Sequence, residues 1–190
     1  MFISWMYRVA AFGSLAVCVL GAATANAEPP ALTSARLAEM SWPELEQIYR
    51  QSQAGTIPEG YLRGRAIYCP CSKLAGVRSS VTNSLWHGKL FDACTSTLVN
   101  QWSGFKAIKA QVTYGTSWLD GKPSIIMDYS GTSRIWKDVR DEAREVAPGV
   151  YLGLMYRRKG CEQEFKLYFT LEAGQGACEA RCGAASGTSP

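Results

Sequence analysis

The stretch Glu164-Phe-Lys-Leu-Tyr-Phe-Thr-Leu171 decides the fold, because its large apolar side chains recur at every second position. The stretch Ile108-Lys-Ala-Gln-Val-Thr-Tyr114 repeats the same period of two. Successive side chains of a β-strand point to opposite faces of the sheet, so this alternation predicts strands with one buried and one solvated face. Two such strands predict that the second half of the chain is mainly β.

Weaker strand patterns fill much of the rest of the chain after residue 60. The weaker candidates are residues 60–69, 83–92, 97–102, 123–130 and 149–158. Turn-forming residues separate several of them, at Asp120-Gly-Lys-Pro123, Pro148-Gly149 and Lys159-Gly160. Residues 133–143 are ambiguous, although Ile135, Trp136 and Val139 have the spacing of a short helix.

Ahead of the strands, residues 34–53 have the pattern of a helix. Ser41-Trp-Pro-Glu44 fits a capping box with its proline in the first turn. An apolar stripe follows at Leu45, Ile48 and Tyr49. One N-terminal helix followed by six or seven meandering strands predicts a small antiparallel barrel or half-barrel, because closure removes the exposed edges of a sheet.

The first 27 residues have the three parts of a secretory signal peptide. Arg8 supplies the positive charge, residues 9–20 form the apolar core, and Ala25-Asn-Ala27 supplies the small residues of a cleavage site. We therefore expect cleavage near Ala27 and a working protein that is periplasmic or secreted.

Two alternatives to cleavage are weaker. The apolar run is about a dozen residues, whereas a membrane-spanning helix needs about 20. A lipoprotein signal would attach lipid to Cys18, but the bulky Val17 before it fits that signal poorly.

Behind the leader, residues 28–57 are expected to form a linker and the helix, and residues 58–172 the barrel domain. Residues 173–190 are expected to form a cysteine-containing, partly disordered tail, since the last eight are small and polar. Cleavage would leave 163 residues (190 minus 27), which is the size of one domain.

The charge balance argues against several classes of partner. The chain has 20 Lys and Arg against 16 Asp and Glu, and loss of Arg8 leaves 19 against 16. Both signs are interleaved without a basic stripe, so we expect no nucleic-acid partner. A second long apolar segment is absent, so we expect no membrane span in the mature protein. The sequence points to no cofactor and leaves the oligomeric state open.

Six cysteines follow the leader, and an even number in an exported protein favours disulfides, with 15 possible pairings. They are Cys69, Cys71, Cys94, Cys161, Cys178 and Cys182. A zinc site with His87 is disfavoured, because ordinary zinc sites space their cysteines by two to four residues rather than one. We expect no metal, and free thiols remain a further alternative.

Strand direction predicts which cysteines form disulfides, provided that residues 97–102 are only a loop. Simple up-and-down alternation then places Cys69, Cys71 and Cys161 at one end of the barrel, and Cys94 with the tail at the other. We expect Cys161 to pair with Cys69 or Cys71, and Cys94 to pair with Cys178 or Cys182. This argument fails if residues 97–102 form a full strand.

A set of short motifs covers most of residues 58–172. The motifs are Pro58-x-Gly60-x-x-x-Gly64, Trp86-His-Gly-Lys-Leu-Phe91, Tyr114-Gly-Thr-Ser-Trp-Leu-Asp-Gly-Lys-Pro123, Asp128-Tyr129, Arg140-Asp-Glu-Ala-Arg-Glu-Val146 and Pro148-Gly-Val-Tyr-Leu-Gly153. Together they resemble a family of uncharacterised bacterial lipocalin-like (calycin-type) proteins, akin to domains that begin with a Gly-x-Trp-x-Gly pattern. In this chain the corresponding stretch is Gly60-Tyr-Leu-Arg-Gly64, which has no tryptophan between its two glycines. The resemblance implies a β-barrel and brings no established activity.

Polar and aromatic residues on the predicted strands are the candidates for ligand binding. The candidate ligand-binding residues are Trp86, His87, Lys89, Trp118, Asp128, Tyr129, Arg140, Arg144 and Tyr151. Strict alternation would place His87 and Lys89 on one strand face and Trp86 on the other, with His87 as a proton carrier or haem ligand. An exposed strand face beside a core tryptophan is the plainer interpretation.

The charged run from Arg140 to Glu145 has two interpretations. Most such runs form a solvated face. The sharper hypothesis is that Arg140 or Arg144 enters the barrel and pairs with Asp128, or holds a ligand carboxylate. The Asp120-Gly121 pair is favoured for steric reasons in a tight hairpin turn.

Three functions are compatible with the sequence, and no nucleophile motif singles out one of them. The first is a lipocalin-like binding module for a small, partly apolar or amphipathic ligand. The second is a small barrel enzyme, an isomerase or hydrolase, which would need a buried titratable group facing the cavity. The third is a disulfide-stapled envelope protein that binds another protein.

Overall fold

Eight antiparallel strands form a closed barrel in the computed structural model, which describes residues 31–69 and 74–174. Each strand pairs with its neighbours in sequence, and the last strand pairs with the first. The strands are β1 (Gly60–Ile67), β2 (Trp86–Asp92), β3 (Thr97–Trp102), β4 (Phe105–Thr116), β5 (Pro123–Asp128), β6 (Val139–Ala147), β7 (Val150–Lys159) and β8 (Glu162–Ala173). The predicted fold class, a small calycin-like antiparallel barrel with few helices, is confirmed.

In the described ranges, three helices accompany the barrel: α1 (Ser34–Ala38), α2 (Trp42–Gln51) and α3 (Ala75–Leu85). The single helix expected over 34–53 is therefore two, although the capping box between Ser41 and Glu44 is confirmed. A continuous helix would place Pro43 in its interior, where proline removes a hydrogen bond and clashes with the preceding turn. None of the helices in the described ranges is long and apolar enough to cross a membrane.

Residues 133–143, which are ambiguous in the sequence, do not form the short helix that the spacing of Ile135, Trp136 and Val139 suits, because β6 begins at Val139. Six consecutive residues, 139–144, are buried on both faces of this strand. Its outward side chains are charged and its inward side chains include Asp141, so the usual alternation of apolar and polar residues is missing. Burial of both faces explains why the strand was not recognised.

Two apolar cores lie on the two sides of the barrel wall. One fills the interior, with Phe91, Met127 and Phe169 among its buried members. The other lies outside, where Leu37 of α1 and Leu45 of α2 pack against Leu152 and its neighbours on β7 and β8. Helices α1 and α2 therefore cover the outer face of the wall that β6, β7 and β8 form.

Arg144 is fully buried on the outer face of β6 and ties α2 to the barrel. Its guanidinium forms two hydrogen bonds with Asp120, at 2.8 and 2.7 Å, and donates to the Tyr49 carbonyl at 2.9 Å. Arg140 pairs with the buried Glu142 at 3.2 Å on the same face. The charged run is therefore not a solvated face.

Neither arginine enters the barrel to meet Asp128, so the predicted pairing is wrong. Asp128 binds Arg158 instead, at 2.6 Å. Arg140 and Arg144 alternate with Asp141, which takes the inward position. The residue in the register position opposite Asp128 is Arg140, but its side chain lies outside, against Trp118.

Strand direction places the connections β1–β2, β3–β4, β5–β6 and β7–β8 at one end of the barrel, which we call the upper end. Residues 97–102 do form a strand, β3, which by itself would reverse the direction of every later strand relative to the sequence prediction. Strand β6, which the sequence analysis did not predict, reverses the direction a second time. The two cancel, so Cys69 and Cys161 still lie at the same end.

The expected bridge from Cys161 is nevertheless wrong, because its thiol is free and exposed. Ile67 pairs with Tyr168, so Cys69 lies two residues beyond that pair and Cys161 seven. Five residues at about 3.3 Å each separate the two by roughly 16 Å, well beyond the 4–7 Å Cα separation of a disulfide. Cys71, Cys178 and Cys182 lie outside the described residues, so the other pairings stay predictions.

Arg144→Ala is expected to lower the free energy of unfolding by about 3–5 kcal/mol, because it leaves the buried Asp120 carboxylate without its cation. Arg157→Ala is the matched control, since Arg157 pairs with Asp138 at 2.7 Å on the exposed surface, and it should cost less than about 1 kcal/mol. Urea unfolding of both variants measures the difference. Equal losses would contradict the assigned role of Arg144.

Candidate functional site

A cluster of four polar side chains lies inside the barrel near its upper end. Lys89 comes from β2, Asn100 from β3 and Asp141 from β6, while Tyr129 directly follows β5. Lys89 and Asn100 are opposite each other in the β2–β3 register, and Asp141 is opposite Met127 in β5. We call these four residues the interior cluster.

Lys89 is the centre of the interior cluster. Its Nζ donates to Asp141 Oδ2 at 2.9 Å, to Tyr129 Oη at 2.7 Å and to Asn100 Oδ1 at 2.9 Å. An ammonium has three N–H donors, so all of them are used. The same Nζ lies 5.3–5.4 Å from the ring centroids of Trp86, Tyr129 and Phe169, a distance at which aromatic faces attract a cation.

The other members of the cluster also bind one another. Tyr129 Oη donates to Asp141 Oδ2 at 2.9 Å, and Asn100 Nδ2 donates to Tyr129 Oη at 3.0 Å. Trp86 Nε1 donates to Asn100 Oδ1 at 3.1 Å. The network holds each side chain in one orientation, with a positive and a negative charge in contact.

Burial governs the ionisation of this cluster. It lowers the pKa of Lys89, because loss of water penalises the ammonium, and the neighbouring Asp141 opposes that shift. Burial also raises the pKa of Tyr129 well above its ordinary value, and the negative charge of Asp141 adds to the effect. Tyr129 is therefore a neutral hydrogen-bond donor at physiological pH.

Two bulges bring these side chains inside. The β2–β3 register shifts between Trp86 and Gly88, and Gly88 has a φ of +140°. A side chain at Gly88 would collide with the Leu62 carbonyl oxygen. Because of this bulge, Trp86 and Lys89 both face the interior, although three positions apart.

The second bulge lies opposite Asn100 in β4. Ile108 has a φ of +73°, which is strained for a β-branched side chain. Its carbonyl oxygen accepts a hydrogen bond from Asn100 Nδ2 at 3.1 Å. Strained backbone of this kind persists where surrounding contacts hold it, and it is common at functional sites.

A cavity of about 150 Å³ adjoins the interior cluster. Tyr68, Thr82, Trp102 and Trp136 line it on the side of the upper connections. Within the described residues, Asp141 Oδ1 and Trp102 Nε1 have no hydrogen-bond partner although both are buried. A buried polar atom without a partner costs free energy, and these two atoms belong to residues in the wall of the same cavity.

The structure brings together three of the predicted binding residues, Trp86, Lys89 and Tyr129. Alternation alone placed Trp86 and Lys89 on opposite faces, which is wrong because of the bulge. His87 lies on the exposed outer face, where its Nε2 is 2.9 Å from Ser103 Oγ. It therefore does not reach the cavity.

The remaining candidates lie elsewhere. Trp118 packs outside the barrel under Arg140, whose guanidinium carbon is 4.1 Å from the ring centroid. Tyr151 is buried in the interior and donates to the Thr56 carbonyl at 2.9 Å.

Sequence reasoning missed Asn100, Trp102, Trp136 and Asp141 as site residues. Asp141 was hidden in a charged run that reads as solvated. The available signal was β6 itself, since a charged strand in a closed barrel must place every second side chain inside.

Comparison with known proteins supports the fold alone. No protein-family profile matches the chain, and no curated protein matches it. A crystal structure of a protein from Thermomonospora curvata is similar, with a TM-score of 0.50 and 18% sequence identity. The match covers 74% of this chain and 93% of that one. The fold therefore defines the class, a small antiparallel barrel.

Asp141→Asn is expected to lower the free energy of unfolding by about 3 kcal/mol or more, because Lys89 would remain as an uncompensated buried charge. Lys89→Met together with Asp141→Asn should cost less than the two single changes summed, since the double variant buries no charge. A double-mutant cycle from urea unfolding measures this coupling. Additivity within about 0.5 kcal/mol would contradict the ion pair.

Proposed function

We propose that the protein is a lipocalin-like binding module that holds the polar end of a small, partly apolar molecule in the barrel cavity. The observation that carries this proposal is the pair of unsatisfied buried atoms, Asp141 Oδ1 and Trp102 Nε1, in the wall of one cavity. A barrel filled only for stability would use apolar side chains there, because replacing a buried ion pair by well-packed apolar groups is often stabilising.

The two atoms indicate the chemistry of the ligand. Asp141 Oδ1 accepts a hydrogen bond, and Trp102 Nε1 donates one, so the ligand offers both a donor and an acceptor. The charges of Lys89 and Asp141 already balance, which favours a neutral ligand group such as a hydroxyl or a carboxamide. The aromatic walls accept the apolar remainder.

The cavity volume limits how much of the ligand lies inside. About 150 Å³ is enough for one benzene-sized ring, and most drug-sized ligands need 300 Å³ or more. A longer ligand would extend between Tyr68, Thr82 and Trp136 toward the upper end. We further propose that binding takes place outside the cytoplasm, after cleavage near Ala27.

Phenol and toluene are matched probes for this site, because they differ only by a hydroxyl in place of a methyl group. We expect phenol to bind more tightly, and Trp102→Phe to weaken phenol about fivefold while leaving toluene unchanged, since one hydrogen bond contributes about 1 kcal/mol. NMR titration of the indole N–H resonances gives the affinities.

Trp42→Phe is the control for that experiment. Among the described residues, Trp42 Nε1 is also buried without a partner, but Trp42 lines a separate groove outside the barrel. Its loss should therefore leave the phenol-induced shifts of the Trp86 and Trp102 indole N–H resonances unchanged. Equal binding of phenol and toluene, or an equal effect of the two tryptophan substitutions, would refute the proposed polar end. Native mass spectrometry of protein purified from its own host would identify a retained molecule.

An enzyme, an isomerase or hydrolase, is the second candidate. The observation in its favour is that three titratable side chains, Lys89, Tyr129 and Asp141, line the cavity. Asp141 Oδ1 is the atom placed to take a proton from a bound molecule, and Tyr129 Oη is a neutral donor beside it.

Proton abstraction next to a carbonyl group tests this candidate. With cyclohexanone in deuterated water, an isomerase-type site should speed deuterium uptake at the carbon beside the carbonyl, measured by mass spectrometry. Asp141→Asn should remove that rate, and Tyr129→Phe should reduce it while keeping the buried ion pair. Uptake at the uncatalysed rate would favour the binding module.

A further inference from the structure

Helix α3 carries its apolar side chains on the outside. Val77, Val81 and Leu85 are exposed to 61%, 54% and 46%, and their spacing of four residues places them within an arc of about 80° at about 100° per residue. Each is a large apolar side chain, and none of the three is among the described residues that form or pack against the two apolar cores. A surface helix ordinarily shows the opposite arrangement.

Polar contacts hold α3 to the barrel instead. Asn83 Oδ1 accepts from the Ala66 backbone N–H at 2.7 Å, and its Nδ2 donates to the Ala66 carbonyl at 3.3 Å. Thr82 Oγ1 lies 3.0 Å from Tyr68 Oη. The face of α3 toward the barrel is therefore polar, and the apolar stripe faces away from it.

A further exposed apolar side chain, outside α3, also lies at the upper end. Ile135, in the β5–β6 connection, is 82% exposed. Its neighbour Trp136 lines the cavity, as does Thr82 of α3. The stripe and Ile135 therefore stand on two connections beside one cavity opening. We call Val77, Val81, Leu85 and Ile135 the upper apolar set.

Positive charge surrounds the upper apolar set. The exposed charged residues in the described part of the upper end that form no ion pair there are Arg65, Arg78, Arg134, Lys137, Lys159 and Glu162. Five of these six are cations, and two of them directly follow or precede members of the apolar set.

We propose that the upper end docks on an anionic lipid bilayer, with the upper apolar set inserted among the headgroups. Apolar side chains interleaved with arginine and lysine are what interfacial segments present to a membrane. Each cation near an anionic surface adds to the attraction between the protein and the membrane. Lysine is depleted at protein–protein interfaces, so the exposed Lys137 and Lys159 at this end favour lipid over a protein partner.

Such docking would turn the cavity opening toward the bilayer. The proposal does not depend on a ligand in the cavity, because it rests on the exposed helix face and the charge around it. Its failure and the failure of the binding-module proposal are therefore independent.

Hydrogen exchange of the full chain, read by mass spectrometry, locates the contact. Vesicles of phosphatidylcholine with one-third phosphatidylglycerol should protect residues 75–85 and 131–137, whereas phosphatidylcholine alone should not. Because the readout is local, a retained leader would not mimic it. Protection should fall as salt rises, since salt screens exposed charges. Absence of protection in these two segments would overturn the proposal.

Val77→Asp with Val81→Asp should lower vesicle affinity more than tenfold, since two valine side chains would no longer leave water. Ser80→Asp is the control for added charge, because it places one carboxylate on the same helix about 60° outside the stripe edge at Val77. Its effect on the logarithm of the affinity should be less than half that of the double valine variant. Arg134→Gln with Lys137→Gln should weaken binding severalfold and reduce its salt dependence. Equal effects of the valine and serine variants would overturn the proposal.

Sedimentation in the absence of lipid tests whether a second copy of the chain, rather than a membrane, covers the upper apolar set. If the upper apolar set were an interface between two copies, the protein would dimerise, and the valine substitutions would abolish the dimer without vesicles present. That result, together with unprotected segments on vesicles, would replace the membrane proposal with self-association.

Discussion

The contact between the Lys89 ammonium and the Asp141 carboxylate is the constraint on which the interior of this barrel depends. Two charges in a closed apolar space must satisfy each other and their remaining hydrogen-bonding atoms, or the fold loses several kcal/mol. Asn100 and Tyr129 complete the shell of Lys89, and the strained carbonyl of Ile108 fixes Asn100 in turn. The bulges at Gly88 and Ile108 are the backbone changes that make these contacts.

Strand β6 connects this interior cluster to the outer layer of the molecule. Asp141 points inward to Lys89, while Arg140, Glu142 and Arg144 point outward to the β4–β5 turn and α2. A strand buried on both faces usually carries apolar residues. Here alternate charges serve two different networks, so a shift of register by one residue would break both at once. The position of α2 on the wall and the geometry of the cavity are therefore set by the same strand.

The sequence allowed prediction of the fold where the period of side chains matched burial. β4 and β8 follow simple alternation, and the capping box at Ser41 marks the start of α2, so these elements were predicted correctly. The site was predicted only in part, because its key positions break the pattern. A bulge of one residue reverses the face of Lys89, and strict alternation takes no account of its local signal, the isolated Gly88 within the strand. Asp141 and α3 were missed for a related reason. Asp141 is a charged residue inside the barrel, whereas α3 has apolar residues on its exposed face.

These inversions of polarity occur at one end of the barrel, and together they have a physical consequence. Polar groups inside a barrel and apolar groups outside it both cost stability in water, so neither is explained by packing alone. The interior cluster leaves one carboxylate oxygen of Asp141 unsatisfied, and α3 leaves Val77 and Val81 in solvent. A small hydrogen-bonding ligand would remove the first cost, and the proposed lipid surface would remove the second. Because Thr82 of α3 lies in the cavity wall, the two contacts adjoin. If both proposals hold, a ligand that leaves a bilayer would enter the barrel without first crossing bulk water, because both features lie at the same end.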